Sequence, residues 1–246
     1  MSLLDIVDQN IIRFKTVLHK INIACESSNR NPDKIKIVLV TKTIPLEIIN
    51  STITRILEEK LLNPNKIILG ENKVQEASKK FISWNENSKY NNFERHFIGH
   101  LQSNKINKII HLTHLLHSLD SLLLAEKLNR NAKKKNILID SLIQINIAKE
   151  TSKFGLNEDS LIDFLKKMNN FNQINIKGFM TMAPNSTPEK VEPIFNQLKL
   201  LKAQINHLEL MPPLEELSMG MSNDFETAIK CGATIIRIGS AIFGTR

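Results

Sequence analysis

Residues 35–71 read IKIVLVTKTIPLEIINSTITRILEEKLLNPNKIILGE and contain one complete strand–helix–strand unit. The run Ile35–Val40 is apolar except for Lys36, and apolar β-branched runs between turns are typical of strands that are buried on both faces. Residues 46–59 repeat apolar side chains at helical spacing, and residues 66–69 form the next apolar run. This order predicts two parallel strands joined by a right-handed crossover through a helix.

The same unit repeats along the rest of the chain. We predict strands at 96–98, 115–118, 142–146, 174–179, 216–219 and 235–238, and helices at 72–84, 102–109, 121–133, 158–169, 188–208 and 223–231. The first 28 residues have the spacing of a further amphipathic helix. Eight alternating units favour a closed barrel, because an open doubly wound sheet usually stops at about five or six strands. The predicted fold is therefore α/β, with residues 1–246 forming a single (β/α)8 TIM-barrel domain with an extra N-terminal helix.

Composition restricts the function classes. The chain has no apolar run of membrane-spanning length and no signal-like N-terminus, so we expect a cytoplasmic protein without a membrane partner. The two cysteines, Cys25 and Cys231, lie far apart and are expected to be reduced thiols. The net charge of +8 comes from scattered basic residues, so we expect no nucleic-acid partner.

Chemistry in such barrels collects at the carboxyl ends of the strands. Lys42 follows the first strand, where it is either a solvated charge or a partly desolvated amine that attacks a carbonyl group. Asn72 follows the second strand and is either a helix cap or a site residue. His100 follows the third strand after Gly99, where it could stack on or bond a planar ligand.

The loops after the last two strands predict a phosphate site. Leu217–Ser222 and Ile236–Ser240 each place glycine and serine directly after a strand, and barrels commonly bind phosphate at these two loops. Arg237 lies inside the eighth strand and needs a partner, which is either a structural carboxylate or a group of the ligand. A lysine and a phosphate site suit a class I aldolase or pyridoxal 5′-phosphate (PLP). The sixth strand ends at Gly178–Met182 without lysine or carboxylate, which favours PLP over the aldolase.

Several stretches, in order, resemble the motifs of one known family. They are Val40–Thr43, Gly70–Asn72 with Val74–Glu76, His96–Lys105, Thr151–Gly155, Gly178–Thr181, Leu217–Ser222 and Ile236–Gly244. On these motifs, which cover nearly the whole chain, the protein resembles the pyridoxal phosphate homeostasis proteins. That family is similar in fold to the N-terminal barrel of alanine racemase.

The resemblance implies roles for individual residues. Lys42 would hold PLP as a Schiff base, and Arg237 would face the pyridine nitrogen. Asn72 would lie near the ring hydroxyl. The phosphate would be held by Ser222, Gly239 and Ser240, with Ser218 nearby. The chain departs from the family pattern at Lys73, where tyrosine is usual, and also at Phe154 and Ser240.

The resemblance also bears on activity. An arginine at the pyridine nitrogen keeps it unprotonated, so the ring is a weak electron sink. The second domain of alanine racemase, with its tyrosine base, does not follow Arg246, and Tyr90 is the single tyrosine. We therefore expect a monomeric, non-catalytic PLP carrier, without catalytic residues or a metal, that stores, buffers or delivers cofactor to PLP-dependent apoenzymes. The alternative is a PLP-dependent amino-acid racemase that uses Lys42 with Lys153 or His100.

Overall fold

A computed structural model of the chain describes residues 2–150 and 154–245. Within these residues, eight parallel strands close into a barrel in sequence order, from β1 next to β2 round to β8 next to β1. The strands are β1 Lys36–Val40, β2 Ile68–Glu71, β3 Glu94–Phe97, β4 Leu115–Leu119, β5 Ile139–Gln144, β6 Ile174–Met180, β7 Glu216–Ser218 and β8 Ile235–Ile238. The predicted TIM barrel is confirmed.

Helices surround the barrel and connect its strands. They are α1 Leu3–Ser27, α2 Leu46–Glu58, α3 Val74–Glu86, α4 Leu122–Lys135, α5 Leu161–Met168, α6 Pro188–His207, α7 Phe225–Lys230 and α8 Ser240–Phe243. Among the described residues, no helix is both long and apolar enough to cross a lipid bilayer.

Alternation along the strands creates two separate apolar layers. In β1, Val38 and Val40 face the barrel interior, whereas Ile37 and Leu39 pack in the larger core between strands and helices. Because successive side chains of a strand point to opposite faces, a strand buried on both sides is apolar throughout. The register pairs Val40, the last residue of β1, with Gly70, so β1 and β2 end within one residue of each other. This arrangement brings the residues after the strands to one mouth of the barrel.

Several predicted elements differ from the structure in type or in bounds; for example, the third strand was predicted at 96–98 but is Glu94–Phe97. The helix predicted at 102–109 is a 3-10 helix, Ser103–Lys108, because a short segment with Ile106 as its buried residue has too little apolar contact to hold an α-helix. The fifth strand was predicted at 142–146 but begins at Ile139. Its first residues include Asp140 and Ser141, and their polarity interrupts the apolar run that marked the other strands.

The N-terminal helix α1 is confirmed and belongs to the barrel's outer layer. Its first turn is closed by a capping box, in which the Ser2 hydroxyl accepts the Asp5 N–H and the Asp5 carboxylate accepts the Ser2 N–H. Phe14 and Ile21 are among its buried residues. The helix packs against α2, α7 and α8, and it therefore covers the junction where the last unit of the barrel meets the first.

Candidate functional site

A cavity of about 680 Å³ opens at the carboxyl ends of the strands. This volume is within the range of small-molecule sites in proteins. Its walls combine an apolar side, which includes Val40, Ile98 and Met182, with polar groups from several loops. The predicted site residues that line it are Lys42, Asn72, His100, Ser222, Arg237, Gly239 and Ser240. Six of these seven residues lie just after five different strands, and Arg237 lies within β8 itself.

Lys42 lies half-buried in the cavity wall, in the turn after β1. The next residue, Thr43, has a φ of 63°, a left-handed conformation that residues with a β-branched side chain rarely adopt. The Thr43 N–H donates to the Glu76 carboxylate at 2.6 Å, which holds the turn in this conformation. Within the described chain, no hydrogen bond or ion pair engages the Lys42 amine.

A buried ion cluster, which we call the Lys80 cluster, supports this turn from below. The Lys80 ammonium donates to the Thr41 carbonyl, to Glu71 and to Glu76, each at 2.7 Å. An ammonium group has three donors, so all of them are used. Burial raises the pKa of Glu71, although hydrogen bonds from Lys80 and Thr41 act in the opposite direction. The cluster ties β1, β2 and α3 together directly beneath Lys42.

The contacts of the Lys80 cluster were not predicted from the sequence. From the sequence, Lys80 is one of several scattered basic residues, and Glu71 could equally cap the following helix. The periodicity of α3 contained a signal, because Lys80 occupies a position on the apolar face, between Ala77 and Trp84. A charged residue on a buried helix face requires a buried partner.

The loops after β7 and β8 are joined through one hydroxyl group. The Ser222 oxygen accepts the backbone N–H groups of Gly239 at 3.3 Å and Ala241 at 3.1 Å. Its own O–H hydrogen is thus left to donate to another group. The backbone N–H groups of Ser222, Asn223 and Ser240 have no acceptor among the described residues. Unpaired backbone N–H groups next to a serine hydroxyl are well suited to binding an anion.

Arg237 forms the floor of the cavity and is 4% exposed. Its guanidinium donates to the Ser218 hydroxyl at 2.6 Å and to the Thr181 carbonyl at 2.9 Å. Burial lowers its pKa to about 10, so the group is charged at neutral pH. No carboxylate forms an ion pair with it in the described part of the chain, although Asp224 lines the same cavity. A guanidinium group has five N–H donors, so donors remain for a ligand.

Asn72 contributes a buried oxygen that has no partner. Its side-chain Oδ1 is inaccessible to water and makes no hydrogen bond within the described residues. Gly99 lies against it so closely that a Cβ atom at Gly99 would sit 2.0 Å from the Asn72 carbonyl oxygen. The glycine therefore allows the loops after β2 and β3 to touch, and a ligand hydroxyl would satisfy the orphan oxygen.

His100 is at the rim of the cavity with one ring face already covered. Its ring stacks on Phe154 with centroids 3.8 Å apart and an interplanar angle of 13°, and its Nδ1 lies 3.3 Å from Asp120. Phe154 is 54% exposed, so this pair forms part of the cavity mouth. Lys153, the other base considered for a racemase, lies outside the described residues.

Ser218 does not line the cavity, in the part of the chain that the structure describes. It lies beneath Arg237, fully buried, and its hydroxyl also contacts Nδ1 of His117 at 2.9 Å. His117 contacts His96 in turn, at 3.0 Å. Neither histidine was predicted to have a role, although both are polar residues at buried strand positions. Tyr90 is also buried, beside Thr54 between α3 and β3, and it does not line the cavity.

Because His96 and His117 are buried, we expect the protein to lose stability in acid. Burial lowers the pKa of His96 and lowers that of His117 further, so the unfolded chain takes up protons below about pH 6.5 that the folded chain does not. The contribution of these two groups to the free energy of unfolding should be constant above that pH and then fall by up to about 1.4 kcal/mol per pH unit for each group. Urea unfolding at pH 7.5 and 5.5 measures the change, and equal free energies would contradict the prediction.

Across residues 2–150 and 154–245, no group of three or more His, Cys, Asp or Glu side chains is arranged to hold a metal ion.

Comparison with known proteins agrees with the geometry. Residues 70–246 match the family described as "Alanine racemase, N-terminal domain". The chain is 37% identical to the pyridoxal phosphate homeostasis protein of Aquifex aeolicus, over 95% of this chain and 97% of the relative. It is 35% identical to the protein of the same name from Haemophilus influenzae, over 94% and 93%.

Solved structures of proteins with known names also resemble this chain. PipY of Synechococcus elongatus PCC7942, solved with PLP bound, is 28% identical and superposes with a TM-score of 0.76, over 92% of this chain and all of that one. An alanine racemase of Clostridium difficile, 15% identical with a TM-score of 0.70, shares the fold across 99% of this chain and 57% of its own length. From its sequence matches, the chain belongs to the pyridoxal phosphate homeostasis protein family, which carries the alanine racemase N-terminal domain.

Proposed function

We propose that this chain binds PLP through Lys42 and takes part in PLP homeostasis as a carrier that stores, buffers or delivers the cofactor. The observation that carries the proposal is that one cavity combines an unpaired lysine amine, a charged arginine floor and an anion-binding pair of loops. PLP has a matching set of groups, namely an aldehyde, a ring nitrogen and a phosphate. PipY, a relative of similar length, is named as a PLP-bound protein.

The residues present fit this cofactor. The phosphate would be held by the Ser222 hydroxyl and by the free N–H groups of Ser240 and its neighbours. The orphan oxygen of Asn72 would accept a hydrogen bond from the ring hydroxyl. An Arg237 donor would face the ring nitrogen, and Ser218 would act from beneath by fixing the guanidinium. His100 would close the rim.

The chemistry of the site favours holding over turnover. When bound, PLP supplies an aldehyde that condenses reversibly with a lysine amine to form a Schiff base, with loss of water. Arg237 is charged at neutral pH and only donates hydrogen bonds, so it leaves the ring nitrogen without a proton and the ring a weak electron sink. His100 is engaged by Asp120 and Phe154, and Tyr90 lies away from the cavity, so neither supplies a free second base. Residues 2–150 and 154–245 thus offer no free second base, and we infer a protein without catalytic residues.

We also propose that the protein is cytoplasmic. Cys25 and Cys231 are both free and buried, which suits a reducing cytoplasm. A carrier that releases PLP to apoenzymes needs a linkage that water or another amine reverses, and a Schiff base has this property. We propose that the protein works as a monomer.

The test is the absorption spectrum of the purified protein incubated with PLP. We expect a Schiff-base band that borohydride removes, followed by recovery of reduced, PLP-modified Lys42 in a peptide mass map. Incubating the loaded protein with L-alanine should yield no sustained D-alanine. A modified peptide that lacks Lys42, or continuous formation of the D-isomer, would reject the corresponding part of the proposal.

A further inference from the structure

A chain of hydrogen bonds runs through the barrel interior from the cavity floor to the opposite end of the barrel. From Arg237 it passes to Ser218 at 2.6 Å, to His117 at 2.9 Å and to His96 at 3.0 Å, and it ends on Glu94 at 3.2 Å. We call these five residues the interior relay. Barrel interiors are usually filled by layers of apolar side chains, so a continuous polar path there requires an explanation.

The interior relay crosses the barrel from one side to the other and also runs along its axis. Arg237 and Ser218 come from β8 and β7, whereas His117 and His96 come from β4 and β3, so the contact between Ser218 and His117 crosses the interior. Ser218, His117 and His96 are at most 1% exposed. The Glu94 side chain is 46% exposed at the amino end of β3, where it reaches solvent.

Counting donors fixes the direction of every bond. The Arg237 guanidinium only donates, so Ser218 accepts from it and turns its own hydroxyl hydrogen to Nδ1 of His117. His117 must then carry its hydrogen on Nε2 and donate to Nδ1 of His96. His96 likewise carries its hydrogen on Nε2 and donates to the Glu94 carboxylate. Burial lowers the pKa of both imidazoles, which agrees with neutral rings.

The charges at the two ends explain why the direction matters. The Arg237 cation is buried without a carboxylate in contact, and its two protein acceptors are a hydroxyl and a carbonyl group. The relay ends on an anion, and aligned hydrogen bonds polarise one another toward such an end. If Ser218 lost His117 as its acceptor, its hydroxyl hydrogen would be free to turn toward the guanidinium and compete with it.

We propose that His117 and His96 are positioning residues, which act through Ser218 to hold the Arg237 guanidinium at the cavity floor in the orientation that a ring nitrogen requires. The inference rests on the proposed function for the identity of the ring, but the relay itself is a property of the protein without cofactor. In this proposal the two buried histidines do not contact the ligand, and their role does not require catalysis.

The direct test measures the histidine tautomers in cofactor-free protein by ¹⁵N NMR at neutral pH. We expect both His117 and His96 to be protonated on Nε2 with Nδ1 accepting a hydrogen bond. Protonation on Nδ1 in either ring would overturn the proposal. Because no PLP is present, this result is independent of whether the chain binds PLP.

A mutant cycle tests the coupling to the cavity. Ser218→Ala and His117→Phe should each weaken PLP binding about tenfold, and the double variant should lose about tenfold as well, because both changes break the same path. Losses that multiply to about a hundredfold would overturn the relay. Leu142→Ala, an interior packing control outside the relay, should lower the melting temperature while leaving the absorption band of bound PLP in place. A wild-type protein that fails to bind PLP would reject the proposed function and leave the tautomer result standing.

Discussion

Replacing Lys42 by alanine is expected to abolish the Schiff-base absorption of the PLP-treated protein completely. The amine is the covalent partner in the proposed site, and it is free to react because no described residue forms a hydrogen bond or ion pair with it. The Ser222 and Ser240 loops would remain, so PLP should still bind, but weakly enough to be lost on gel filtration. The spectrum before and after gel filtration measures both effects.

Lys73→Ala is the matched control for this variant. Lys73 is an exposed lysine next to Asn72, one strand away from Lys42, and it does not line the cavity. We expect its spectrum to equal that of the wild type. A Lys42→Ala protein that keeps the band, or a Lys73→Ala protein that loses it, would show that another lysine carries the cofactor.

Replacing Lys80 by methionine is expected to destabilise the protein by about 3–5 kcal/mol, the usual cost of leaving one charge of a buried pair uncompensated. Glu71 is completely buried, and its second oxygen already lacks a partner, so nothing else in the described chain neutralises it. The turn that carries Lys42 would also lose its support through Thr41 and Glu76. Urea unfolding and the PLP absorption band report the two consequences separately.

Two further variants separate charge from packing. Lys79→Met changes the neighbouring exposed residue of α3 and should leave the free energy of unfolding within about 0.5 kcal/mol of the wild type. Adding Glu71→Gln to Lys80→Met removes the stranded charge and keeps an acceptor for Thr41, so most of the lost stability should return. A double variant no more stable than Lys80→Met would contradict this account of the cluster.

The sequence predicted those parts of the molecule that depend on local pattern. Apolar strands alternating with amphipathic helices identified the barrel, and the rule that chemistry collects after the strands brought Lys42, Arg237 and Ser240 to one mouth. Their positions along the chain explain this placement, because Lys42 and Ser240 come just after buried strands and Arg237 lies within one.

The interactions that were missed join residues far apart in sequence. Ser218 meets His117 across the barrel, at a separation of 101 residues, and nothing in either local stretch specifies that contact. The later predicted start of β5 has a local cause, since Asp140 and Ser141 interrupt its apolar run, whereas the short 3-10 helix lacks the apolar contacts of an α-helix. Polar groups at buried positions indicated that partners exist but not which ones.

The closure of the barrel by α1 has a consequence for the newly made protein. Both α1 and β1 emerge from the ribosome first, but they pack against α7, α8 and β8, which are translated last. At about 5–20 residues per second, this leaves the parts of α1 and β1 that contact α7, α8 and β8 without those partners for about 10–40 s. The earliest segment of the nascent chain must therefore be shielded from aggregation until translation is almost complete.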